Sequence, residues 1–223
     1  MIPRALKRFI HQRTLKDERY RYLFEPPPPD EFVSIDCETT GLDRKKDQII
    51  TIAAVKIKGD VILSSKRFVR IARPETAELA EDAIKVHHLR KADVENAGRL
   101  VDIWPEFLDF VGARPLVGYY LEFDVAMINR GLKPFLGAEL PNAQHEVSSM
   151  YYDLKYGDAP AGVHCDLTFR AILRDLDIPM MAQHDAFNDA FMTAMMFVAL
   201  RDRKRRDAKI SRARDRHHGE MGG

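Results

Sequence analysis

Three stretches in the first third of the chain are dominated by β-branched and apolar residues: Phe32 to Cys37, Ile49 to Ile57 and Val61 to Ile71. Runs of that length and composition predict strands, and Gly59-Asp60 between the last two predicts a hairpin. A fourth strand is predicted over 114–118. Apolar residues then recur at helical spacing over 100–111, 123–135, 166–176 and 185–200, which predicts helices among and after the strands. Strands first and alternating helices later describe an α/β fold in which a mixed sheet is flanked by helices. The stretch 136–165, with Pro141, Gly157, Pro160 and Gly162, shows no clear period. Upstream, Leu6, Phe9 and Ile10 sit at helical spacing among basic residues, and Pro26 to Pro29 end any helix there and form a stiff spacer.

This pattern divides the chain into a basic N-terminal helix over 4–24 with a Pro-rich spacer (1–30), a core domain (31–200) and a basic C-terminal tail (201–223). At 223 residues the chain is long enough for one well-buried domain with extensions. Charged residues make up 31% and no apolar run approaches the roughly 18 residues of a membrane span, so a membrane protein is excluded and a soluble one expected. The first thirty residues lack the apolar core of a secretory signal. Two cysteines, Cys37 and Cys165, form neither a disulfide framework nor a four-cysteine metal site, which suits a reducing cytoplasm and leaves oxygen as the ligand for any metal. The net charge of +1 is unevenly spread: 1–30 carries +3, 31–200 carries −7 and 201–223 carries +5. Basic ends around an acidic centre fit a polyanion binder whose negative charge is gathered at a metal site; on charge alone they equally fit two solvated tails.

The acidic centre is concentrated in three segments. In Ser34-Ile35-Asp36-Cys37-Glu38-Thr39-Thr40-Gly41-Leu42, strand alternation puts Asp36 and Glu38 on one face and Val33, Ile35 and Cys37 on the other. Two neighbouring carboxylates repel one another and take up protons unless a cation compensates, and a hard divalent ion such as Mg²⁺ or Mn²⁺ suits all-oxygen ligands. A solvent-facing edge strand is the ordinary alternative. The second segment, Leu116 to Asp124, reads as a strand end, a turn and a helix start, where Asp124 also suits the helix dipole. In the third, His184-Asp185-Ala186-Phe187-Asn188-Asp189-Ala190 opens a helix with Asp185 as its N-cap. Ala186, Ala190 and Ala194 recur every four residues, which lets that helix lie close against a sheet and brings Asp189 toward the strand of Asp36. A histidine such as His184, just ahead of that helix, can take a proton from water.

In this order and spacing the segments resemble the DEDDh (DnaQ-like) 3′-5′ exonuclease family, the group that includes the proofreading epsilon subunit of bacterial DNA polymerase III. Asp36 to Gly41 match Asp-x-Glu-Thr-Thr-Gly, Phe123-Asp124 match the second motif, and His184 with Asp189 match His-x-x-x-x-Asp. The resemblance spans roughly 31–200 and implies a ribonuclease-H-like sheet. It further implies that Asp36, Glu38, Asp124 and Asp189 bind two divalent cations, Mg²⁺ or Mn²⁺, and that His184 is the general base. Thr39, Leu42, His87 and Phe123 stand at the family's substrate-gripping positions. The expected substrate is nucleic acid with a free 3′ end, single-stranded DNA in preference to RNA, with a polymerase or repair partner and no membrane. Where the family often has His-Asn ahead of the second Asp, this chain has Tyr119 and Tyr120. The competing reading is a non-catalytic nucleic-acid-binding or polymerase-accessory module with the same fold.

Overall fold

The structure is a computed structural model that describes residues 11–75 and 91–212. Its centre is a five-stranded mixed sheet: β1 (Glu31–Thr39), β2 (Ile49–Lys58), β3 (Val61–Ile71), β4 (Leu116–Gly118) and β5 (Gln144–Glu146), in the order β3-β2-β1-β4-β5. The first three strands form an antiparallel meander, and β4 and β5 add in parallel beside β1. The β2–β3 turn is the expected Gly59-Asp60, with Gly59 at φ +60. The helices are α1 (Lys91–Glu95), α2 (Leu100–Val111), α3 (Leu121–Leu136), α4 (Val147–Lys155), α5 (Phe169–Asp175) and α6 (Ala186–Arg205). Their positions agree with the periodic stretches at 100–111, 123–135, 166–176 and 185–200, and α6 runs one turn further.

Each face of the sheet buries its own core. Val33, Ile35 and Cys37 of β1 pack with Trp104, Phe107 and Leu108 of α2 and with Ile128 and Leu132 of α3. On the opposite face Val55 and Ile57 of β2 meet Tyr151 of α4, Ile172 of α5, and Met196 and Phe197 of α6. This is the mixed sheet flanked by helices that the hydrophobic pattern implied. Thr168 caps α5, accepting from the Ala171 N–H, and Asp185 caps α6, accepting from the Asn188 N–H at 2.9 Å.

Elements also occupy stretches where the pattern gave no clear reading. β5 and α4 lie within 136–165; within the helical stretch 4–24, Glu18–Phe24 forms a 3₁₀ helix ahead of the proline run. Tyr20, Leu23 and Phe24 of that helix are buried in the α2/α3 core, and the Tyr22 hydroxyl donates to Asp109 at 2.6 Å. The helical spacing at Leu6, Phe9 and Ile10 lies outside the described residues. At the other end, α6 continues to Arg205, and Ile210 is buried with its N–H donating to the Leu154 carbonyl. No helix among the described residues is long and apolar enough to cross a membrane.

Candidate active site

The strand alternation of β1 places Asp36 and Glu38 on the face that α6 covers. Asp36 stands opposite Ala53 of β2, and Ala53 packs against Ala186 and Ala190 of α6, all three buried. With only methyl groups between them, helix and sheet approach closely, and Asp189 in the first turn of α6 comes over the strand. Carboxylate oxygens of Asp36, Glu38 and Asp189 lie within 4.8 Å of one another. The ladder shifts register between Glu38 and Thr39, a bulge at the end of the acidic strand.

Asp124 arrives from another direction. β4 pairs with β1 only at Val33 and Ser34 and ends at Gly118, so the edge of β1 beyond Ser34 is open to α3. Asp124, buried in the first turn of α3, accepts the Cys37 N–H there. Its charge acts on Asp36, and the charge of Glu38 acts on it. The structure thus brings Asp36, Glu38 and Asp189 within 4.8 Å of one another, while Asp124 stands outside that group and acts on it through its charge.

The electrostatics follow from this crowding. Burial, then the charges of Asp124, Glu38, Asp189 and Asp185, push the Asp36 carboxyl well above its ordinary range. Asp124 is raised by burial and by Glu38 and Glu146, with the Cys37 N–H opposing. Asp189 is pushed up to about 6 by burial foremost, and the His184 N–H holds it from rising further. Burial likewise raises the Cys37 thiol, which remains neutral. Repulsion of this kind is relieved by a cation, and the atoms present suit one. His184, at φ 62, donates its backbone N–H to Asp189 Oδ2 at 3.1 Å, while Asp189 Oδ1 is buried with no hydrogen-bond partner. A carboxylate with one oxygen anchored and the other unpartnered, beside two more carboxylates, matches the all-oxygen donor set of a hard divalent ion.

Of the remaining expected residues, Thr39 and Leu42 follow the acidic strand and Phe123 precedes Asp124. Thr39 is buried and its hydroxyl donates to the Gly41 carbonyl at 2.7 Å. Leu42, on the following loop, is 85% exposed. Asp47 holds that loop, accepting from the Thr40 hydroxyl and the Asp43 N–H, and a Cβ on Gly41 would lie 2.6 Å from Asp47 Oδ2. Arg130 of α3 donates to the carbonyls of Arg44 and Asp47, and Arg44 pairs with Glu122 and covers the Phe123 ring. His87 lies outside the described residues.

Glu146, at the end of β5, was not singled out from the sequence. Its carboxylate accepts from the Leu121 N–H at 2.8 Å and from the N–H and hydroxyl of Ser148, so one side chain caps both α3 and α4. The Glu-x-Ser spacing at 146–148 was its only local signal. Tyr120, the residue ahead of α3, has left-handed backbone (φ 54, ψ 34), which costs a residue with a Cβ about 1–2 kcal/mol.

Residues 33–197 match the profile of the exonuclease family designated RNase T. The chain belongs to that family. DNA polymerase III subunit epsilon from Aquifex aeolicus is 27% identical over 169 residues, covering 76% of this exonuclease and 79% of the relative. PolC-type DNA polymerase III from Thermotoga maritima is 27% identical over 172 residues, so the chain spans only 12% of that longer relative. The fold is shared with cell-death related nuclease 4 (TM-score 0.64, 13% identity, 82% of this chain and 66% of that one). It is shared also with E. coli Exonuclease I in complex with a dT13 oligonucleotide (TM-score 0.64, 16% identity, 79% and 42%). The mixed sheet is therefore the ribonuclease-H-like sheet of exonucleases, and the DEDDh resemblance in its motifs is that of a 3′-5′ exonuclease.

Proposed function

We propose that this 3′-5′ exonuclease removes nucleotides from the 3′ end of single-stranded DNA, in preference to RNA, by hydrolysis of the terminal phosphodiester at the Asp36, Glu38, Asp124 and Asp189 cluster. The observation that carries the reading is the clustering of carboxylates from β1 and α6, with one buried oxygen of Asp189 left for a ligand and Asp124 of α3 acting on Asp36 through its charge. A module that only bound nucleic acid would gain nothing from collecting negative charge where phosphate must approach. In this proposal the four carboxylates hold two divalent cations, Mg²⁺ or Mn²⁺. Bound there, such ions lower the pKa of an attacking water and neutralise charge on the departing 3′ oxygen.

The chain's own residues supply the rest. His184 is positioned by its backbone bond to Asp189, and in this proposal its imidazole accepts the proton of the attacking water. In this proposal the exposed Leu42 and Phe123, whose ring Arg44 covers, press on the terminal base without reading its identity. Thr39 and His87 complete the grip on the terminal nucleotide. Residues 31–200 form the catalytic unit in this assignment, and 1–30 and 201–223 flank it. The dT13 bound in the Exonuclease I structure supports a single-stranded substrate, and the epsilon relative supports a polymerase as partner.

The test is a 5′-labelled oligonucleotide offered as single-stranded DNA, as duplex with a mismatched end and as RNA. Stepwise shortening from the 3′ end on addition of Mg²⁺ or Mn²⁺, fastest on the DNA single strand and abolished by Asp36→Ala, is the expected result. Intact strands in every metal with folded protein contradict it.

A further inference from the structure

We propose that Tyr120 is a substrate-binding residue whose ring stacks on a base of the single strand 5′ to the terminal nucleotide, and so sets the affinity of this exonuclease for polynucleotide. The inference rests on the exonuclease reading above and specifies how that site holds the strand.

Tyr120 is 66% exposed, too open for its ring to be explained by core packing. Yet the ring is not loosely placed. It lies 4.5 Å from the ring of Tyr119, tilted by 56°. Tyr119 is fixed in turn, its hydroxyl donating to the Leu167 carbonyl at 3.1 Å and its ring edge-on to Phe169 at 5.0 Å. The backbone at Tyr120 is left-handed, a conformation a bulky side chain disfavours and Asn tolerates, and it is held by Glu146 on the next N–H. A large aromatic is thus kept exposed, in an unfavourable backbone, at the residue that opens α3.

Its location supplies the ligand. Asp124 follows four residues later on the same helix. Phe123 faces the other way, toward Arg44 and the loop that carries Leu42. The Tyr120–Tyr119–Phe169 row instead leads away toward α5. With the terminal nucleotide between Leu42 and Phe123 and the scissile phosphate at the carboxylates, the strand continues on the Tyr120 side. An aromatic face there accepts any base, which gives affinity without sequence preference.

Steady-state shortening of a 5′-labelled single strand in Mn²⁺, compared for wild type, Tyr120→Asn and Tyr120→Phe, tests this. Loss of one base stack corresponds to roughly a tenfold rise in KM for Tyr120→Asn, with kcat within about twofold. Tyr120→Phe keeps the ring and stays within about twofold of wild-type KM. The melting temperature of Tyr120→Asn equals or exceeds that of wild type, because Asn accepts the left-handed backbone. An unmoved KM in Tyr120→Asn, a fall confined to kcat, or a lowered melting temperature accompanying the KM change overturns the inference. A wild-type protein that leaves the strand intact overturns the exonuclease reading itself, and this inference with it.

Discussion

Asp189 carries two opposed demands. Its Oδ2 accepts the His184 N–H, which favours the charged form, while burial and the charges of Glu38 and Asp185 push the carboxyl up to about 6. A carboxyl raised from an ordinary 3.8 destabilises the metal-free fold once it ionises: the fold is unburdened below about pH 4 and loses stability as pH rises through 6. Replacing it by Asn removes that term and keeps an oxygen for the His184 N–H. In chelator at pH 7.5, Asp189→Asn is expected to be the more stable protein by about 2 kcal/mol, a melting temperature roughly 4–8 °C higher. The difference should vanish near pH 4. A variant that melts below wild type at neutral pH in chelator would show that the cluster is not a repulsive one. Among individual residues, the meeting of Asp36, Glu38 and Asp189 was legible because acids on a strand face or at a helix start are chemically conspicuous. Glu146 was not, because a glutamate ending a three-residue strand looks like any surface acid until its two helix caps are seen.

The elements were legible where one period ran long enough. β1 and β2 bury one set of side chains on each face, and α2, α3 and α6 repeat apolar residues over several turns. β5 has three residues and α4 nine, too few for a period to emerge between Pro141 and Gly157. The helix ending at Phe24 falls inside the helical stretch 4–24, but its burial was not legible, because it comes from distant partners, Phe135 on Tyr20 and Asp109 on Tyr22, which no local pattern records. The alanines of α6 were informative because their spacing predicted a close approach, and the packing of Ala186 and Ala190 on Ala53 is that approach. Ala190→Leu inserts a side chain where the helix meets β2. It is expected to cost about 1–3 kcal/mol, seen as a lower melting temperature, and to reduce turnover at least tenfold by lifting Asp189 from Asp36. Wild-type turnover in that variant would mean that the helix position does not set the acid geometry.

At the scale of the whole molecule, the charge counted along the sequence separates into structural and unassigned parts. Arg201 pairs with Asp30, donates to the Gly59 carbonyl and covers the Phe32 and Phe197 rings, and Arg205 pairs with Asp60. These cations join the end of α6 to the ends of β1 and β2, at the opposite end of α6 from Asp189, so the basic tail contributes to packing as well as to net charge. The centre keeps its excess of acid, gathered around Asp36, and a phosphodiester can approach such a point only when that charge is matched. In the proposed reading, metal occupancy is the condition on which the molecule's chemistry depends. Calorimetric titration of the metal-free full-length chain with Mn²⁺, beside Asp36→Ala, measures it directly. Two ions per wild-type chain, with binding lost or halved in Asp36→Ala, is the predicted result; a wild-type chain that binds none, or a variant that binds as wild type does, would contradict it.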